Sequence, residues 1–152
     1  MLIRTHLALS ILAIILLLPY VNDKTIFIAV LLIATFLPDI DTSYSKLGKH
    51  RIFRPLQFFV SHRGLIHSFT FLILITLAFV FVYPVIALPL FLGYGLHLLF
   101  DSFTIEGIRP FYPLSKTVSG KIRTGGKVEI IIFVFLIFAI LFTILLKYTS
   151  IF

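Results

Sequence analysis

Cysteine and tryptophan are absent from the 152 residues of this chain, methionine occurs once, and only 12% of the residues are charged. Without cysteine there is no disulfide, no thiolate zinc site and no thiol nucleophile. The scarcity of charge removes further classes. A soluble domain is about 25% charged and about 45–50% apolar. Here the hydrophobic share is 60% and the mean hydropathy is +1.14. A water-soluble globule, a disordered chain and a coiled coil are therefore excluded, and an integral membrane protein is expected. Acid is the scarcer sign of charge: six Asp and Glu stand against 13 Lys and Arg, a formal +7. In a membrane protein that excess reports topology and attraction to anionic head groups first. Nucleic acid is not expected as a partner.

Windows almost free of charge set the organisation: residues 7–21, 25–37, 68–83, 85–100 and 128–146. The third and fourth belong to one stretch without Asp, Glu, Lys or Arg, divided at Tyr83-Pro84. Crossing the hydrocarbon layer takes about 20 apolar residues. The fifth window meets this, the third and fourth nearly do, and the second is short. In lipid each segment must satisfy its own backbone, and strand alternation is missing. The expected fold is all-α, a single membrane domain over residues 1–152 with about five transmembrane helices. Leu18-Pro19-Tyr20-Val21-Asn22 lacks a small-x-small cleavage pattern, so the first segment reads as an uncleaved anchor.

Five helices with short turns make two unequal faces. Residues 1–6, 38–67 and 101–127 lie on one, and the turns at 22–24 and 83–84 with the C-terminal tail lie on the other. The larger face holds every basic residue except Lys24 and Lys147. The positive-inside rule places it in the cytoplasm, with the C-terminus outside, in a plasma or inner membrane.

The polar minority gathers on that face. His97 and Asp101 stand four apart near the end of the fourth helix, hence on one helical side, with Gly93 a turn earlier leaving space beside His97. Such a pair can bind one metal, or the acid can orient the imidazole; a core His bonded to an interfacial Asp is the plainer reading. Leu37-Pro38-Asp39-Ile40-Asp41 puts two acids at a helix C-terminus, a place that favours cations. In His62-Arg63-Gly64-Leu65-Ile66-His67-Ser68 a glycine turn leads into the third helix, with His67 or Ser68 near its cap and Arg63 as a fork donor for phosphate or carboxylate. His6 precedes the first helix at the same level. His50 belongs to a solvated basic stretch. The Gly125-Gly126-Lys127 run is no Walker A loop, but Lys127 at a helix start can hold an anion, and Glu129 is either a favourable first-turn acid or a general base. Cations are thus favoured where helices two and four end, and anions where helices one, three and five begin.

The order Thr5-His6, Leu37-Pro38-Asp39-Ile40-Asp41, His62-Arg63-Gly64-x-x-His67-Ser68, Gly93-Tyr94-x-x-His97-x-x-x-Asp101-x-x-Thr104-x-x-Gly107 and Tyr112-Pro113 resembles the YdjM-like family of membrane-bound, metal-dependent hydrolases over nearly the whole chain. One departure is Ile66, where the family pattern has Thr. The resemblance implies His6, Asp39, Asp41, His62, His67, His97 and Asp101 as ligands or their orienters around one or two divalent ions. Imidazole mixed with carboxylate suits Zn, Mn or Fe. Arg63, Ser68 and Lys127 would meet an anionic lipid or phosphate-containing substrate, and Glu129 would take the water proton. The expected partners are the lipid bilayer and such a substrate, and homo-oligomers are compatible with the sequence. Three other readings stay open: proton or metal-ion transport, a haem held by His67 and His97, and a non-catalytic lipid-binding protein.

Overall fold

The computed structural model describes residues 1–41 and 64–149, with the backbone alone described at Asp41. The apolar windows form five helices: α1 Ile3–Leu17, α2 Lys24–Phe36, α3 Phe69–Val82, α4 Pro84–Ser102 and α5 Lys127–Thr149. Among the described residues there is no β-strand. Two isolated bridges, Thr104 with Ile122 and Ile108 with Val118, tie down the loop from α4 to α5.

The helix ends follow local chemistry. Ser68 caps α3: its hydroxyl accepts the Phe71 N–H at 3.2 Å and donates to the Leu65 carbonyl at 2.5 Å. Pro84 opens α4, where no N–H is needed. Pro38 lacks the donor that would continue α2, and the chain tightens into a 3₁₀ turn over Leu37–Asp41. A second 3₁₀ turn, Leu18–Tyr20, extends α1.

Among the described residues, three helical segments are long and apolar enough to cross a membrane: α1 with its 3₁₀ turn, α4 and α5. α2 and α3 have 13 and 14 residues. At 1.5 Å per residue each reaches only about 20 Å, against a hydrocarbon core of about 30 Å. The shortness expected of the second helix extends to the third.

α4 is the hub. It packs on α2, α3 and α1, while α5 packs chiefly on α1. The contact between α4 and α2 depends on Gly93, where a Cβ would stand 2.3 Å from the Leu31 carbonyl oxygen. In lipid no hydrophobic force drives helices together, so close backbone approach through small residues supplies the packing. The space expected beside His97 is therefore filled by the backbone of α2. Ala34, Leu72, Leu90, Tyr94 and Leu98 are buried around that contact. α1 meets α5 through Ala8, Leu136 and Ile140, and the Arg4 guanidinium sits 5.3 Å from the centre of the Phe133 ring. Along its other side α5 is bare hydrocarbon: Ile131, Phe135 and Phe138 are each 67% exposed, the surface of a helix solvated by lipid.

Candidate metal centre

The close approach at Gly93 sets the register of α2 against α4, and the polar cluster grows from that register. One turn past Gly93, His97 Nδ1 lies 2.8 Å from the Thr35 carbonyl oxygen. Thr35 is among the last residues of α2, whose final carbonyls have no partner within the helix. A carbonyl only accepts, so Nδ1 carries the hydrogen and Nε2 of the neutral ring presents a lone pair. His67 repeats the arrangement, with Nδ1 3.2 Å from the Pro38 carbonyl oxygen. Two imidazoles are thus oriented by backbone carbonyls at the end of one helix.

Their other ring nitrogens converge on carboxylates. His67 Nε2 is 3.2 Å from Asp101 Oδ2. His97 Nε2 is 3.7 Å from the same oxygen and 3.6 Å from Asp39 Oδ1. His6 stacks on His97, ring centroids 3.9 Å apart and planes 6° apart. Its Nε2 lies 3.2 Å from Asp101 Oδ1 without forming a hydrogen bond. Both ring nitrogens of His6, and Nε2 of His97, are buried without a hydrogen-bond partner. The α-amino group of Met1 also rests against Asp101. Burial raises the Asp39 carboxyl above the usual carboxylate range, against the pull of His67 and His6.

His6 and His97, both nearly inaccessible, keep ring nitrogens without a hydrogen-bond partner, and that is costly unless something joins them. An unsatisfied buried polar atom costs about 1–3 kcal/mol, and a ring lone pair facing a carboxylate oxygen is repelled. A cation between them removes both penalties. The donor atoms of His6, His97 and Asp101 lie within 4.8 Å of one another, and so do those of Asp39, His67 and His97. Imidazoles whose other N–H is held by a backbone carbonyl, joined by carboxylates, are a donor set for divalent Zn, Mn or Fe. The residues present fit such an ion.

Further residues hold the donors in place. The Tyr94 hydroxyl donates to the Ile66 carbonyl, pinning the residue before His67. Thr104 Oγ1 donates to the Asp101 carbonyl at 2.7 Å and accepts the Gly107 N–H at 3.3 Å. Gly107 has a φ of +61°, a conformation that favours glycine. Ser10 and Thr35 share a buried 2.7 Å hydrogen bond between α1 and α2.

Of the residues singled out in the sequence, His6, Asp39, His67, His97 and Asp101 come together at one end of the bundle. Asp41 ends the 3₁₀ turn after α2, and its side chain lies outside the described part. His62 and Arg63 lie outside the described residues. Ser68 is engaged as the cap of α3, and Lys127 is exposed at the start of α5. Glu129 is buried and fully engaged: Oε1 accepts the Leu2 N–H at 2.6 Å and the Thr5 hydroxyl at 2.9 Å, and Oε2 accepts the Gly125 N–H at 2.6 Å. This carboxylate ties the start of α5 to the turn that carries His6, where two helix N-termini favour an anion. The carbonyls of Thr35 and Pro38 were not apparent as site groups in the sequence. Pro38 signals free carbonyls at the end of α2, but nothing in the linear order says which imidazoles reach them.

A bundle with helices long enough to cross a membrane, and with a buried His and Asp cluster at one end, defines an integral membrane protein with a candidate metal centre. The chain belongs to the YdjM inner membrane protein family, whose profile matches residues 1–151. No curated protein and no solved structure matches it.

Proposed function

We propose that the protein is a membrane-embedded, metal-dependent hydrolase. It acts on a phosphoester of a lipid or another membrane-associated substrate at the cytoplasmic face. The observation that carries this reading is the buried Nε2 of His97, without a hydrogen-bond partner between Asp39 and Asp101. His97 Nδ1 is engaged by Thr35, so Nε2 is its only donor, and both sets of three converging groups include it. That favours one ion over two: His6, His97 and Asp101 would hold it, with Asp39 and His67 completing or orienting the set. A divalent ion there supplies a Lewis acid for a phosphoryl oxygen and a source of nucleophilic water near neutral pH.

The chain's own residues supply the rest. Thr35 and Pro38 hold the imidazoles in the ligating tautomer. Arg109, Lys121, Arg123 and Lys127, all exposed on the loop from α4 or at the start of α5, attract an anionic substrate, and Arg63 serves as its fork donor. Glu129, already accepting three hydrogen bonds, holds the turn of His6 rather than taking a proton from water. The polar donors gather at one end of the bundle, which supports hydrolysis at that face over passage through the membrane.

The test is elemental analysis of detergent-purified protein beside phosphate release from a lipid phosphoester in mixed micelles. About one Zn, Mn or Fe per chain and turnover that a chelator stops would support the proposal. Metal at background level in the wild type would overturn it. Metal flux into sealed vesicles without turnover would replace it with transport.

A further inference from the structure

A cavity of about 270 Å³ lies beside the polar cluster, and its lining is almost wholly apolar. Its walls come from four places in the chain: Leu37 and Ile40 after α2, Ile66 before α3, Phe71 and Ile75 in α3, and Tyr94 in α4. These residues are chain neighbours of the candidate ligands. Leu37 and Ile40 bracket Asp39, Ile66 precedes His67, and Tyr94 stands one turn before His97. The Tyr94 hydroxyl, the polar atom that Tyr94 brings to this wall, donates to the Ile66 carbonyl. Ile66, 7% exposed, makes the wall hydrocarbon where threonine would add a hydroxyl.

The cavity differs from ordinary lipid-facing surface. On α5 the exposed side chains stand on one isolated helix, and a lipid chain touching them is bulk solvent. Here several elements surround a concave space whose lining residues are chain neighbours of the candidate ligands. Polar ligands have nothing to bond inside it, and a hydrocarbon chain has. We propose that this cavity holds the part of the substrate's hydrocarbon chain nearest its phosphate, so that the substrate is a lipid phosphoester presented from within the bilayer. The inference rests on the hydrolase reading above and adds the substrate's apolar half to it. A chain leaving the bilayer for this cavity gains little hydrophobic energy, because lipid tails are as apolar as its walls. The cavity therefore acts by position: it fixes the depth at which the phosphate meets the cluster.

Photocrosslinking tests this with phosphatidic acid bearing a diazirine close to the head group, in vesicles containing the whole protein. Crosslinks are mapped by mass spectrometry. The expected result is at least a several-fold enrichment at Leu37, Ile40, Phe71 and Ile75 over Ile131, Phe135 and Phe138 of α5. Ile75→Trp, which fills the cavity away from the ligands, should abolish the enrichment while metal content stays at the wild-type level. Phe71→Trp is the second filling variant, should Ile75→Trp not fold. Even labelling of cavity and α5 overturns the proposal. Equal enrichment with a diazirine diacylglycerol, which has no phosphate, keeps the chain site and instead removes the phosphoester reading.

Discussion

α4 and α5 are both long and apolar, and one charged loop, residues 103–126, joins them, yet they do opposite work. In α4 the buried side carries Gly93, Tyr94, His97 and Asp101, and 44% of its spanning window is buried in the protein. In α5 the figure is 17%, and its polar contacts to α1 lie at its two ends. Glu129 joins it to the start of α1, and the Lys147 ammonium donates to the Ile15 carbonyl near the end of α1. The difference lies in what each helix meets: Gly93, His97 and Asp101 of α4 face α2 and the polar cluster, whereas α5 packs chiefly on α1. An ionisable group inside a membrane bundle is expensive and must face a partner, so a helix that carries one is drawn to the centre. α5, whose ionisable side chains reach only the start and end of α1 and the turn before α5, is left at the rim.

The contrast can be broken at its strongest point. His97→Ala removes the one nitrogen shared by both candidate ligand sets, and bound metal should fall to background, measured by elemental analysis of purified protein. Asp101→Asn should do nearly the same. If either variant keeps wild-type metal content, the α4 cluster is structural and the distinction from α5 is one of packing alone.

Glu129→Ala strikes the rim helix at its anchor. It leaves the Leu2 and Gly125 N–H groups and the Thr5 hydroxyl without their acceptor, at about 1–3 kcal/mol for each that water does not reach. The expected outcome is a clearly lower Tm in detergent together with weaker metal binding, because the turn carrying His6 is released. An unchanged Tm with turnover abolished would return Glu129 to the role of general base.

Gly93→Ala and Gly95→Ala form a matched pair on α4. At Gly93 the new Cβ meets the Leu31 carbonyl oxygen at 2.3 Å, whereas at Gly95 the nearest neighbour is Leu72 Cδ2 at 3.4 Å. The first should cost about 1–3 kcal/mol through forced backbone movement and weaken metal binding, because Thr35 and Asp39 shift away from His97. The second should be neutral or slightly stabilising, since alanine is the better helix former. Paired thermal unfolding curves measure the difference. The smallest effect is expected on the outer side of α5, where Phe138→Ala should stay within about 0.5 kcal/mol of wild type. A larger loss there would mean that another chain covers α5.

Much of this was legible in the linear sequence. The five apolar windows became five helices, with Ser68 and Pro84 at the expected starts and Pro38 at the expected stop. The 3.6-residue period put His97 and Asp101 on one side, and both acid-bearing helix ends fell at the same end of the bundle. The role of Gly93 was misjudged in kind, because the room beside His97 is taken by another backbone. Glu129 could be read only as an acid at a helix start, since nothing near it in sequence names Leu2 and Thr5 as its donors.

The sequence by itself determined that this chain is a helical membrane protein and which few residues could carry chemistry, because hydrophobicity, helical period and capping are local properties. Only the tertiary structure decided that α4 is central and α5 peripheral, that the carbonyls of Thr35 and Pro38 orient His97 and His67, and that His6 stacks on His97. Those facts depend on how closely two backbones approach and in what register. That is settled by a missing side chain at Gly93 meeting a carbonyl 62 residues away, at Leu31, and no local pattern records it.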